Sequence, residues 1–73
     1  MNDTAPLSAL LSGYLEQLDR RIAVVDDLRR EADSLGPHAS AEVLPVLDAV
    51  DRTVRRSDES TRVLLRWLGA GSN

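Results

Sequence analysis

The sequence predicts an all-α fold, an antiparallel two-helix hairpin, coiled-coil-like, that dimerises into a four-helix bundle. Three observations carry the prediction. Apolar residues recur at steps of three and four through both halves of the chain, the period of a helix face. Between the halves lies Ser34-Leu35-Gly36-Pro37-His38, the residue order of a helix end: glycine for a left-handed conformation, then proline to stop continuation. Finally, Leu7 with Leu68, Leu18 with Ser57, Leu28 with Leu47 and Ala32 with Val43 all share one midpoint, and it falls inside that break.

Helix one is expected from about residue 6 to 35. Pro6 suits a first turn, with Asp3 and Thr4 as capping groups upstream. Its stripe reads Leu7, Leu11, Tyr14, Leu18, Ile22, Val25, Leu28, Ala32 and Leu35, with Gly13 the one weak helix former inside it. Positions 36–39 form the turn. Helix two is expected from about 40 to 68, with Ser40 as its cap, Glu42 in its first turn and a local distortion at Pro45. Its stripe runs through Val43, Leu47, Val50, Val54, Ser57, Thr61, Leu64 and Leu68. Tyr14 is set against Thr61 and Leu18 against Ser57, large against small, with the hydroxyls bonded back to helix carbonyls. Residues 69–73 read as a flexible tail of one single domain. On the surface, Glu16 with Arg20 and Asp26 with Arg30 have the acid-first spacing of a helical ion pair.

Two helices of this length expose more apolar surface than one seam hides, and chains this small without a disulfide or a metal commonly associate. One flank carries Leu10, Val24, Val46 and Trp67 with Gln17, Thr53 and Ser60 between them. It is the expected interface, against a second copy or a helix of another protein. The other flank carries Leu15, Ile22, Leu44 and Leu65 among Asp51, Asp58 and Arg29. Arg21 interrupts the seam opposite Val54. It is expected either to run outward along its alkyl stem or to set register or partner choice, with Asp51 or Asp58 as acceptors.

The 73 residues contain no cysteine, so no disulfide or thiolate metal site exists. The single histidine, His38, lies in the turn and lacks a ligand set; no metal or cofactor is expected. The adjacent acids Asp26-Asp27 and Asp58-Glu59 point about 100° apart on a helix and make no shared acid–base site. A catalytic role is not expected. The formal net charge of -3 argues against nucleic acid. An alternative remains in Arg52, Arg55, Arg56, Arg62 and Arg66, which would offer an anionic ligand or nucleic acid one face of helix two. No membrane span and no positively charged leader are present, so the expected location is cytoplasmic.

Two fragments resemble known families. Leu18-Asp19-Arg20-Arg21-Ile22 resembles part of the first helix of helical chorismate mutases, but a three-helix fold does not fit in this chain, and there is no lysine for the cationic site. Trp67-Leu68-Gly69 is a Trp-x-Gly, similar to that of the helical-hairpin substrates of type VII secretion, where the motif lies in the turn. The second resemblance leaves a secreted helical-hairpin substrate as a further alternative. The first expectation is a non-catalytic protein-protein interaction module, a small accessory, adaptor or regulatory subunit.

Overall fold

The computed structural model describes residues 4–71, with side chains through Gly69. Two helices, α1 (Ala5–Asp33) and α2 (Pro37–Gly71), pack against each other as an antiparallel hairpin. The molecule is a rod of 58 × 14 × 11 Å.

Helix α1 opens at Thr4, whose carbonyl accepts the Ser8 N–H at 2.8 Å. The Thr4 side chain makes no capping bond, and Pro6 occupies the first turn, where its missing N–H costs nothing. Asp3, the other expected cap, lies outside the described residues. Gly13 is exposed, and a side chain there would meet open space.

The turn is shorter than expected and sits earlier. Helix α1 stops at Asp33, and the Ser34 and Leu35 N–H groups tighten the end by donating to the carbonyls of Glu31 and Ala32, both at 3.1 Å. Gly36 follows with φ 97°, a backbone conformation that costs an L side chain about 1–2 kcal/mol. Pro37 then begins α2 instead of forbidding it. Its ring presets the helical φ, and the Gly36 carbonyl accepts the first helical bond, from the Ser40 N–H at 3.0 Å. Ser40 is therefore not a cap. It is buried in the first turns of α2, and its Oγ donates to the Ala32 carbonyl at 2.5 Å, tying the start of one helix to the end of the other. Glu42 falls beyond the first turn, which holds no acid.

Helix α2 continues through Pro45. Proline removes the bond to the Ala41 carbonyl, and both residues are exposed, so water replaces the lost donor. The helix also runs past Leu68 to Gly71; residues 69–71 are helical, and the rest of the expected tail lies outside the described residues.

The seam is rotated relative to the expected stripes. Leu18 (2% exposed), Val25, Ala32 and Leu68 are buried, with Leu11, Leu15, Ile22, Leu44, Val54 and Leu65 half-buried around them. Leu7, Tyr14, Leu28, Leu35, Val50 and Leu64 lie exposed. The expected stripe had joined two neighbouring heptad faces of each helix, and the hairpin buries one of them. Tyr14 is exposed, not a core residue. Thr61 is nonetheless buried as expected of a small seam residue, its hydroxyl donating to the Ser57 carbonyl at 2.7 Å.

Substituting Gly36→Ala is expected to destabilise the fold by about 1–2 kcal/mol, and Gly13→Ala to stabilise it by about 1 kcal/mol. Urea unfolding followed by circular dichroism, at one fixed protein concentration, measures both; equal midpoints for the two variants would contradict the turn described here.

Candidate functional site: an ion-paired face and a bare apolar face

The two long faces flanking the seam differ in kind. On one, aspartates and arginines at heptad spacing meet across the helices. Arg55 grips Asp51, one turn before it, with Nε 3.0 Å from both carboxylate oxygens, and reaches Asp26 on α1 at 3.9 Å. Seven residues on, the same arrangement recurs. Arg62 grips Asp58 at 2.8 Å and reaches Asp19 on α1 at 3.2 Å. Asp19 and Asp26 are themselves seven apart, so the antiparallel pairing repeats in register. Toward the turn, Arg29 of α1 pairs with Asp48 and lies 3.9 Å from Asp51.

Asp51 and Asp58 are each only 8% exposed. A carboxylate so placed is stable only against a cation and hydrogen-bond donors, and Arg55 and Arg62 supply them. These acids do not receive Arg21, which is exposed on a different face. Of the expected helical pairs, Glu16–Arg20 is present at 3.9 Å; Asp26 turns to Arg55 instead of Arg30, and Arg30 takes Asp27 at 2.9 Å. The signal for the clamps was in the sequence: Asp51-x-x-x-Arg55 and Asp58-x-x-x-Arg62 repeat one heptad apart.

The Asp19 and Asp58 carboxyls both face Arg62 and shift each other's titration in opposite directions. The hydrogen bond with Asp58 is the main cause that raises the Asp19 pKa, followed by desolvation and the like charge of Asp58, while Arg62 opposes the shift. The same hydrogen bond from Asp19, then that from Arg62, lowers Asp58, with the charge of Arg55 adding to it. Asp58 Oδ2 is buried and has no hydrogen-bond partner among the described residues. A hydrogen-bond donor at Asp19, such as its protonated carboxyl, would satisfy it.

The opposite face is bare. Leu10 (74% exposed), Val24, Val46 and Trp67 (68% exposed) stand open, as the flank reading expected. They are joined by the residues that the rotated seam leaves out, among them Leu7, Tyr14, Leu28, Val50 and Leu64. Along α1 the face follows Leu7, Leu10, Tyr14, Gln17, Arg21, Val24, Leu28. Along α2 it follows Val43, Val46, Val50, Thr53, Ser57, Ser60, Leu64, Trp67. Both series step by three and four, the spacing of a coiled-coil seam. The polar members collect at mid-length, leaving an apolar cluster at each end. At the turn end the two helices enclose an open groove of about 220 Å³ lined by Leu28, Glu31, Ala32, Leu35, Val43 and Leu47.

Of the five arginines considered for an anionic ligand, Arg55 and Arg62 are spent in the clamps. Arg52, Arg56 and Arg66 are exposed and make no ion pair among the described residues. No cluster of three or more metal-ligating side chains occurs among the described residues, and none of the described helices is long and apolar enough to cross a membrane. Comparison with protein-family models, curated proteins and solved structures finds no match. What defines the class here is geometry: a helical hairpin with one ion-paired face and one apolar face.

Asp19→Asn is expected to raise Tm at pH 7 by on the order of a few degrees, because an amide donates to Asp58 at every pH. Asp19, with its raised pKa, stabilises the wild type only below the ordinary carboxylate range and loses that contribution as pH rises through the folded value. Asp58, lowered, contributes above that range and is lost on acidification. The gap between variant and wild type therefore closes as pH falls from neutrality toward the ordinary carboxylate value of about 4; thermal melts from pH 3 to 7 read it directly, and a gap that widens in acid would refute the coupling of Asp19 to Asp58.

Proposed function

We propose that this chain is a non-catalytic protein-protein interaction module, a small cytoplasmic accessory or regulatory subunit. It acts through its apolar helix face and self-associates into a four-helix bundle. The observation that supports the reading is the second seam: a three-four series on both helices, with exposed apolar residues clustered at its two ends and polar residues between them. A singly placed surface leucine needs no explanation, but clusters of exposed apolar residues on one face mark an interaction surface. Its heptad spacing fits a helical occupant, since knobs repeating at that period fit holes formed by another helix.

The area agrees. A compact monomer of 8.0 kDa would expose ~4,450 Å², whereas this chain exposes 5583 Å². The excess, about 1,100 Å² per chain, is comparable to the ~800 Å² each partner contributes to a standard interface. The ion-paired face plays the opposite part. Its charges are matched internally and held near water, so it stays soluble in the assembled state and directs association to the other side.

Sedimentation at micromolar concentration is expected to give twice the 8.0 kDa chain mass. Val46→Glu and Trp67→Ala are each expected to raise the dissociation constant tenfold or more while leaving the helical circular dichroism in place. Trp67 is the only tryptophan, so its emission should shift to the red on dilution as the dimer dissociates. A wild type that remains a folded monomer at these concentrations would sink the self-associating form of the proposal.

A further inference from the structure

We infer, resting on the self-association just proposed, that the two hairpins pair turn over turn, with α1 of one copy lying across α2 of the other. A two-fold dimer of hairpins joined by one flat face has two alignments. In the first, the two-fold axis runs along the rod, the turns coincide, and α1 faces the partner's α2. In the second, the axis crosses the rod, each turn lies at the other's open end, and α1 faces the partner's α1. All facing helices are antiparallel in both, so helix direction does not choose between them. The residues of the apolar face do.

Arg21 decides most of it. It stands near mid-length of the hairpin's apolar face, which runs from Leu7 at the open end to Val43 beside the turn. In the crosswise alignment with full overlap, Arg21 therefore meets the second copy's Arg21 on the axis. No acid lies on that part of the face, the nearer aspartates being engaged on the opposite side by Arg55 and Arg62. Like charges brought together in a partly desolvated interface repel without compensation. In the turn-over-turn alignment, residues at one height along the rod meet. The heights follow from the hairpin itself, in which Arg29 reaches Asp48 and Arg62 reaches Asp19. Arg21 then lies at the level of the second copy's Ser57 and Ser60, hydroxyls that accept its hydrogen bonds, and Gln17 at the level of Ser60 and Leu64.

The apolar ends agree. Turn over turn, Leu10 lies at the height of the second copy's Trp67, Tyr14 near Leu64 and Leu28 near Val50, apolar on apolar at both ends. The crosswise arrangement sets Leu10 of α1 near Glu31, an exposed carboxylate. The polar centre thus acts as a register device. It costs some apolar contact and rejects the wrong alignment, as single polar seam residues do in coiled coils.

The absence of cysteine makes the test clean. A single spin label is placed at exposed His38→Cys, with Ala41→Cys as a second, independently folded variant, and dipolar distances are measured in the assembled protein. Turn over turn, two labels lie within about 30 Å, the width of a bundle whose axes are ~10 Å apart plus label arms. Crosswise, they lie about 50 Å apart, close to the rod length at ~1.5 Å per residue. Distances below about 30 Å at both sites support the inference. Distances near 50 Å in a sedimenting dimer overturn the alignment and leave self-association standing. A labelled and unlabelled chain that both sediment as monomers overturn the alignment and the self-association together, and point to a different helical partner for the face.

Discussion

Asp51 and Asp58 lie between two helices, nearly out of water, and a carboxylate there has to meet a cation. That requirement sets the rotation of both helices. Arg55 and Arg62 satisfy it from one turn further along α2, and each then extends to an aspartate of α1. Because Asp19 and Asp26 are one heptad apart, as are Arg55 and Arg62, the two clamps hold the same relative orientation at two heights. Sliding the helices by a single residue would break both. Exposed ion pairs contribute little to stability on average. These clamps hold buried acids; losing Arg62 would leave Asp58 unmatched, and losing Arg55 would leave Asp51 only the more distant Arg29. Their use is orientation.

Orientation is what creates the bare face. Each helix has more apolar positions than one seam accommodates, and the clamps turn Leu15, Ile22 and Leu65 inward at the expense of Leu7, Tyr14, Leu28 and Leu64. An unclamped hairpin would have no reason to prefer one heptad face over its neighbour. The same contacts that order the hairpin therefore leave an apolar seam without a partner on the other side.

The two helices and the break between them were legible in the sequence, because periodicity and the Gly36-Pro37 dipeptide are local signals. So was the flank of Leu10, Val24, Val46 and Trp67. The seam's rotation was not. Reading it requires knowing that Asp51 and Asp58 go inside, and an aspartate is by default a surface residue; only the arginines four positions on reverse that expectation. Ser40 was misplaced for a related reason. A serine shortly after a proline is a good cap by propensity, but Pro37 already serves as the first helical residue, so Ser40 is carried a turn further and its hydroxyl meets the Ala32 carbonyl.

In the proposed dimer, the polar residues at the middle of the apolar face would have the same logic as the clamps, applied between molecules instead of within one. An unbroken row of leucines and valines would bind strongly and in several registers, since apolar contact is not directional. Placing Gln17, Arg21, Thr53, Ser57 and Ser60 at mid-length gives up part of that attraction. In return, displaced alignments press a guanidinium or an amide onto apolar side chains, where its donors go unmet. Small helical chains have few other means of specificity: this one has no disulfide, only two aromatic residues and a core of a few side chains. Charge within the hairpin does the work that shape does in larger proteins, and in the proposed dimer polarity within the interface would do the same.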